Sequence, residues 1–251
     1  MPRTFLLNNE KHKELFKTYY NPNKHYILKK NIQRKKGIKI SNNLNEILNA
    51  YKHKYVLVQE MKESILINKR AMNIRLYLLV KCHGDKKEFF YHTLSKCLYA
   101  DTDKTDEVDN SFNTNITNSY STSLDIYNKN PLTFNQLLMY FDNKLNYDSN
   151  VFISNFNRLL ENLCNGVKKE ICNCSNLKDN EMYQLFGADI LIDKNFIPYI
   201  LEINKGPDMK PKDKNDKKLK HKVIYDTFEK TGVIKPNDKK YTNLYVKINT
   251  I

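Results

Sequence analysis

Long apolar runs are missing from this chain of 251 residues. Nothing in it approaches the roughly 18 consecutive apolar residues that a membrane-spanning helix requires, so no span is expected. The opening Met1-Pro-Arg-Thr-Phe-Leu-Leu-Asn has too short an apolar stretch for a secretory leader, and none is expected. Cysteines are few and odd in number, five in all, which argues against a disulfide framework in a chain this long. Cys172-Asn-Cys174 with Cys164 lacks the matching Cys-x-x-Cys pair or nearby histidine that would complete a tetrahedral zinc site. Cys164 instead falls on the apolar stripe of a helix, where it reads as core. Internal repeats are absent. Acids are outnumbered, 28 Asp and Glu against 42 Lys and Arg, for a formal net charge of +14. Such a field attracts polyanions, whether nucleic acid, an anionic membrane surface or an acidic protein tail, without choosing among them.

What is present suits one compact domain with two lobes, or two small domains, since 40% of the residues are hydrophobic. Periodicity predicts a short helix over Lys11–Tyr20 with Leu15 and Phe16 inward, and strands at Tyr26–Lys29 and Ile38–Ile40 around a basic loop. Leu44, Ile47, Leu48 and Tyr51 recur at helical spacing, and a strand follows at Lys54–Val58. Ile74, Leu76, Leu78 and Val80 alternate with Arg75, Tyr77 and Leu79, and the turn Cys82-His83-Gly84-Asp85 leads to a partner strand at Glu88–Tyr91. Asp101–Asn113 is acidic and polar and reads as a loop. Two amphipathic helices follow, Phe134–Leu145 with Thr133 as N-cap and Phe152–Val167. Lys210–Lys222 is a dense basic run. It reads either as a solvated face or as a surface that recruits an acidic polypeptide.

The segment Gly187–Asn204, GADILIDKNFIPYILEIN, carries the most chemistry. Two apolar runs flank the polar turn Asp193-Lys194-Asn195 and predict a β-hairpin. Asp189 interrupts the first strand, and Glu202 and Asn204 sit two apart in the second, so a period of 2 points the latter pair at one face. Carboxylates inside Ile/Leu-rich strands are expensive to bury and repel one another. A divalent cation such as Mg²⁺ removes the cost, taking hard oxygen ligands and leaving positions for phosphate oxygens. A hairpin with one solvated face and incidental acids would read the same way.

Several blocks in sequence order resemble the tubulin-tyrosine-ligase-like family of the ATP-grasp superfamily. They are His25–Lys29 followed by Arg34-Lys-Lys-Gly37-Ile38, Tyr55–Met61 with Ser64–Ile67, Lys69–Val80, Ile116–Tyr120, and the Asp-x12-Glu-x-Asn hairpin, together covering roughly residues 25–210. The resemblance implies an α+β ATP-grasp fold: a smaller lobe over 1–67, a larger lobe over 68–251, the nucleotide between them, and no counterpart of the family's extra N-terminal subdomain. It implies that ATP meets Lys29, Arg34, Lys36, Gly37, Gln59, Glu60, Met61, Thr117 and Asn118. Mg²⁺ would be held by Asp189, Glu202 and Asn204, with Arg75 at the reaction centre and Lys96 nearest to a further family arginine. Three departures stand out: Ala71 where the family commonly has Lys, Asn73 where it commonly has Asp, and less glycine in the basic loop.

The implied activity is ATP-dependent ligation of a free amino acid, glutamate, glycine or tyrosine, to an acidic protein tail such as tubulin's, through an acyl phosphate. The implied setting is the cytoplasm in association with microtubules, with no membrane partner and no nucleic acid. Two other readings stand beside it. One is a catalytically silent relative that binds without turnover, motivated by Ala71, Asn73 and the missing family arginine, to which Lys96 is the nearest candidate. The other is a basic nucleic-acid-binding protein, against which stands the lack of an aromatic-rich strand motif of the RNA-binding type.

Overall fold

A computed structural model describes residues 1–32, 37–104, 125–171, 181–235 and 241–250. Two antiparallel sheets organise them, each with its own apolar core. Arg34 and Lys36 of the basic loop, Thr117 and Asn118, the pair Cys172 and Cys174, and residues 105–113 of the acidic stretch lie outside the described residues.

The first sheet has the order β1 (Thr4–Leu6), β4 (Tyr55–Glu60), β2 (Tyr26–Lys30), β3 (Ile38–Ser41). Leu28 pairs with Val58, and these two join Phe5, Tyr26, Phe16 and Ile47 in one core beneath α1 (Glu10–Tyr19) and α2 (Leu44–Asn49). Both helices start on an asparagine cap, Asn9 accepting from the His12 N–H and Asn43 from the Glu46 N–H. Phe16 is fully buried as expected, but Leu15 is exposed. The face of α1 turned to the sheet runs through His12, Phe16 and Tyr20 at steps of four, His12 Nδ1 accepting from the Leu6 N–H and Phe16 meeting Tyr20 edge-on. Leu15 lies about 100° off that line. Tyr51 is likewise exposed, because α2 ends at Asn49 and tightens into a 3-10 turn over Ala50–His53 that swings Tyr51 out of the helical stripe. Lys54, predicted to start the strand, is the left-handed cap of that turn with φ 67°.

The second sheet has the order β10 (Pro198–Asn204), β9 (Glu181–Ile192), β6 (Arg70–His83), β7 (Lys86–His92), β11 (Tyr245–Ile248), with β5 (Leu66–Ile67) and β8 (Lys96–Tyr99) also paired to β6. The two-residue turn after β6 needs the positive φ of Gly84, +55°. The predicted alternation along β6 holds, and both of its faces are covered. Met72, Ile74, Leu76, Leu78 and Val80 pack under α4 (Phe134–Lys144) and α5 (Ser149–Val167), preceded by the short α3 (Ile126–Lys129). Tyr77 on the other face packs against Leu219 and Val223 of α6 (Lys214–Lys230). Thr133 caps α4 in a reciprocal capping box with Gln136.

Cys97 and Cys164 are free and buried, Cys164 in the predicted core position. Cys82 is disulfide-bonded; an odd cysteine count forbids complete pairing but not a single bond. The basic run also departs from a uniform solvated face. It enters α6, where Lys220 is buried and Lys222 is paired with Asp226 at 2.7 Å. Among the described residues, no helix is long and apolar enough to cross a membrane.

Candidate functional site

The strand registers align four charged side chains in one row. Glu202 on β10 faces Asp189 on β9, Asp189 faces Arg75 on β6, and Arg75 faces Lys96 on β8. Residues directly opposite in antiparallel strands project to the same side, so the row reads acid, acid, base, base across four strands. The next row on that face contains Asn204, Gly187 and Tyr77.

A β-bulge assembles this row. Ile200 pairs with Ile190 and Glu202 with Asp189, leaving Leu201 as the extra residue. Without it Glu202 would stand opposite Ala188, a residue of the apolar core beneath the sheet. One extra residue therefore moves Glu202 and Asn204 onto the face of Asp189. Gly187 has a steric role there. A Cβ on it would lie 3.2 Å from Arg75 Cδ and 3.1 Å from Pro207 Cβ, so glycine leaves the room through which the arginine stem passes. The opposite end of the hairpin is closed by Asp193, whose Oδ1 accepts from the Asn195 and Ile197 N–H groups at 2.9 Å each.

Arg75 grips Asp189 with two donors, Nε to Oδ1 and Nη2 to Oδ2, the latter at 3.0 Å. Burial pushes the Asp189 carboxyl above its ordinary value; Arg75 pulls it back and Glu202 adds to the rise. Lys29 comes from the first sheet. Its neighbour in register is Leu57, on the face of β2 opposite Leu28 and the core, and Glu202 and Asp189 both stabilise its charge. Burial outweighs them and pushes the Lys29 ammonium below the ordinary lysine range. Lys29 thus faces anions across the two sheets.

Lys96 is buried, and its ammonium donates to Asp216 Oδ1 at 2.8 Å. Asp216, fully buried at the start of α6, also receives Lys220 at 3.0 Å and the Lys212 N–H at 2.9 Å. Burial pushes the Asp216 carboxyl upward, but hydrogen bonds from Lys96 and Lys220 outweigh it and hold it below the usual carboxylate range. Sequence reading missed Asp216. A signal was present: within a run of lysines, an acid four residues before Lys220 is the i,i+4 partner of a helix.

Gln59, Glu60 and Met61 divide. Glu60 binds Lys24 at 3.0 Å and Lys62 at 3.2 Å, and the Met61 N–H donates to the His25 carbonyl. Gln59 is buried with its Nε2 on Thr4 Oγ1 at 2.8 Å, and its Oε1 has no partner among the described residues. Gln59 pairs with Ile27 and so shares the face of Lys29. An orphaned buried acceptor there suits an outside donor, as an adenine amino group would be. Gly37 closes the base of the basic loop: a Cβ on it would lie 2.8 Å from Lys30 Cβ, and its carbonyl accepts from the Lys30 N–H. The structure therefore brings Lys29, Arg75, Lys96, Asp189, Glu202 and Asn204 together.

The donor set also fits a hard divalent ion. Two carboxylates and an amide converge, Asn204 Nδ2 donating to Glu202 Oε1 at 3.1 Å, and the unfavourable proximity of Glu202 to Asp189 is what a cation relieves. No group of three or more His, Cys, Asp and Glu side chains that could hold a metal exists among the described residues; the expected set would draw its third oxygen from the amide of Asn204.

Helices packed on antiparallel sheets, with acids and bases converging on one sheet face, define an α+β protein with a charged, partly buried site. The chain belongs to the tubulin-tyrosine ligase family: the pattern described as "Tubulin-tyrosine ligase family" matches residues 1–241. Membership implies an ATP-grasp-like α+β fold. The chain is 28% identical to Tubulin glycylase 3D of Tetrahymena thermophila, over 86% of this chain and 23% of that protein. It is 26% identical to Probable alpha-tubulin polyglutamylase Ttll1 of the same organism, over 95% of this chain and 60% of that protein. It thus spans less than two thirds of either relative.

Proposed function

We propose that this chain is the catalytic region of an ATP-dependent ligase that adds an amino acid to an acidic protein tail, with tubulin as the acceptor. The row Glu202–Asp189–Arg75–Lys96, faced by Lys29 from the other sheet, is the observation that carries the reading. In it the residues 1–67 act as the smaller lobe and 68–251 as the larger, β5 forming the seam against β6, with ATP between them. The names of the relatives, a glycylase and a probable polyglutamylase, favour glycine or glutamate as the amino acid.

Each side chain has a part that follows from its setting. Gln59 offers its unpaired oxygen to the adenine, Glu60 and Met61 shape the edge beside it, and Lys29 and Gly37 face the phosphates, with Arg34 and Lys36 assigned to them by resemblance. Thr117 and Asn118 are assigned to the nucleotide by resemblance. Asp189, Glu202 and Asn204 would hold Mg²⁺, which when bound neutralises phosphate charge. Arg75 and Lys96 hold two cations in register where the transferring phosphoryl group develops charge, and both are preorganised by carboxylates. In the proposed reaction an acceptor carboxylate oxygen bonds to the γ-phosphorus as ADP leaves, giving an acyl phosphate. The amine of the incoming amino acid then bonds to that carbonyl carbon, and phosphate and a proton leave. The protein's work is positioning and electrostatics. Such a reaction belongs in the cytoplasm, at microtubules.

Asn73 supports a second reading, a silent relative. It lies on β6 two residues from Arg75, on the same face, where the resembling family commonly has an acid. Turnover separates the two. Incubation with ATP, Mg²⁺, tubulin and each of glutamate, glycine and tyrosine, followed by intact mass, is expected to show a mass increment of one added residue or more for one amino acid. ATP binding without any increment would favour the silent relative, and absence of ATP binding would overturn both.

A further inference from the structure

Beside Lys96, across Tyr127 and Thr133, lies a groove with a volume of about 600 Å³. It is bounded by α3, the start of α4 and the first turns of α6. Among the described residues, Lys129 and Lys218 are its only charged lining residues, and no described carboxylate lines it. The rings of Tyr127 and Tyr140 supply an apolar wall, and Asn215 a polar one. Both tyrosine hydroxyls are already spent, Tyr127 on the Cys97 carbonyl and Tyr140 on Asn68.

The lysines of this region fall into two groups. Lys96 and Lys220 are consumed by Asp216, and Lys222 by Asp226. Lys129 and Lys218 are exposed and make no ion pair with a described residue. Unpaired cations facing a common groove favour an anion, and the groove adjoins the site directly. The Tyr127 ring lies 5.3 Å from Lys96 Nζ, and Thr133, another lining residue, bridges to Lys96. A free amino acid would need an anion for its ammonium as well as a cation for its carboxylate, and no described residue lining the groove supplies that anion. A segment carrying only negative charge meets both conditions.

We propose that this groove docks an acidic polypeptide segment, with Lys129 and Lys218 as its contacts, and directs that segment past Lys96 towards Arg75. The proposal rests on the ligase reading for its biological meaning, but the docking is independent of turnover. It narrows the basic run to one lysine: Lys218 binds, Lys220 and Lys222 are structural, and Lys129 joins from a distant part of the chain.

The test is direct binding without nucleotide. A fluorescein-labelled decaglutamate peptide is titrated with the whole chain at low salt and followed by anisotropy. The double substitution Lys129→Ser with Lys218→Ser is expected to weaken binding roughly 5- to 20-fold, because two localised contacts are lost. Lys52→Ser with Lys144→Ser removes the same charge from exposed positions outside the groove and is expected to change affinity less than about 3-fold. Circular dichroism melting checks that both variants fold, and Lys218→Arg is expected to keep affinity within about 3-fold. Equal weakening by both double variants, or no binding by the unsubstituted protein, would overturn the proposal. So would tighter binding of an oligonucleotide of equal charge. ATP binding measured on the same samples separates these outcomes from failure of the ligase reading: an ATP-silent protein that still shows the groove-specific loss keeps the docking site and loses the enzyme.

Discussion

Among the described residues, α6 holds two fully buried carboxylates and the hairpin two that are only partly shielded from solvent, and they are treated oppositely. At α6 each acid is saturated. Asp216 receives Lys96, Lys220 and the Lys212 N–H, and Asp226 receives His92, Lys222 and the Leu244 N–H. Both are held below the usual carboxylate range, burial being outweighed by those donors. At the hairpin, Asp189 has one hydrogen-bonded cation, Arg75, and one acid beside it, and its carboxyl is pushed up by burial, relieved by Arg75 and raised again by Glu202. Saturated acids staple the fold: Asp216 joins α6 to β8, and Asp226 joins α6 to the end of β7. Unsaturated acids mark a place where something else is meant to complete the charge balance. Composition does not distinguish the two, because both occur as acids among apolar or basic neighbours.

The largest expected effect breaks the pairing of the two acids at the hairpin. Glu202→Gln keeps the shape and removes the charge, so turnover should fall roughly 10²–10⁴-fold, each factor of ten being about 1.4 kcal/mol of barrier. Stability should stay within about 0.5 kcal/mol or rise, since Asp189 loses a repelling neighbour. Steady-state kinetics and urea denaturation on one preparation decide it. An active Glu202→Gln protein would remove Glu202 from the metal site.

Asp216→Ala tests the other side. It leaves Lys96 and Lys220 buried without a counter-charge, and breaking such a pair costs about 3–5 kcal/mol. Urea denaturation should show that loss. A change below about 1 kcal/mol would mean that the α6 acids are not staples and that the contrast drawn between the two regions fails.

The smallest effect is in pH. His92 Nδ1 accepts the Leu94 N–H at 3.1 Å while Nε2 meets Asp226 at 2.9 Å, an arrangement that suits the neutral ring. Burial pushes its pKa below the ordinary 6.5, with Asp226 pulling the other way. The unfolded chain therefore binds a proton that the native one refuses, and stability is full above about 6.5 and declines as pH falls through the lowered folded-state pKa. Asp226, lowered from 3.8, adds a second decline in stronger acid, as pH falls from its unfolded value through the folded one. Urea midpoints should drop between pH 7 and pH 5.5, and His92→Gln should flatten that drop. An unchanged slope would show that the His92 pKa is not lowered on folding.

Much of this was legible in the chain itself. Asp189, Glu202 and Asn204 stood out because acids in apolar strands violate the local pattern, and Arg75 because its strand otherwise alternates cleanly. The Thr133 cap and the Phe134 and Phe152 stripes appear where periodicity puts them. Leu15 and Tyr51 were misread for one reason: helical stripes in short elements drift with the position of the end, and a 3-10 turn or an unexpected contact such as His12 with Leu6 resets the face. The burial of Lys220 within the lysine run was not legible, because pairing in a helix depends on which face is covered, and what covers α6 is Tyr77, on a strand far away in sequence.

By itself the sequence determined the α+β class, the hairpin with its three oxygen-bearing side chains, and the family resemblance, since these rest on local periodicity and residue chemistry. Only the tertiary structure decided that Glu202 faces Asp189 rather than the core, because that depends on one extra residue at Leu201 in the pairing register. Only it decided that Lys96 is held by Asp216, 120 residues away. Register and long-range pairing are set by how whole strands and helices pack, and no local pattern encodes which partner a buried charge will find.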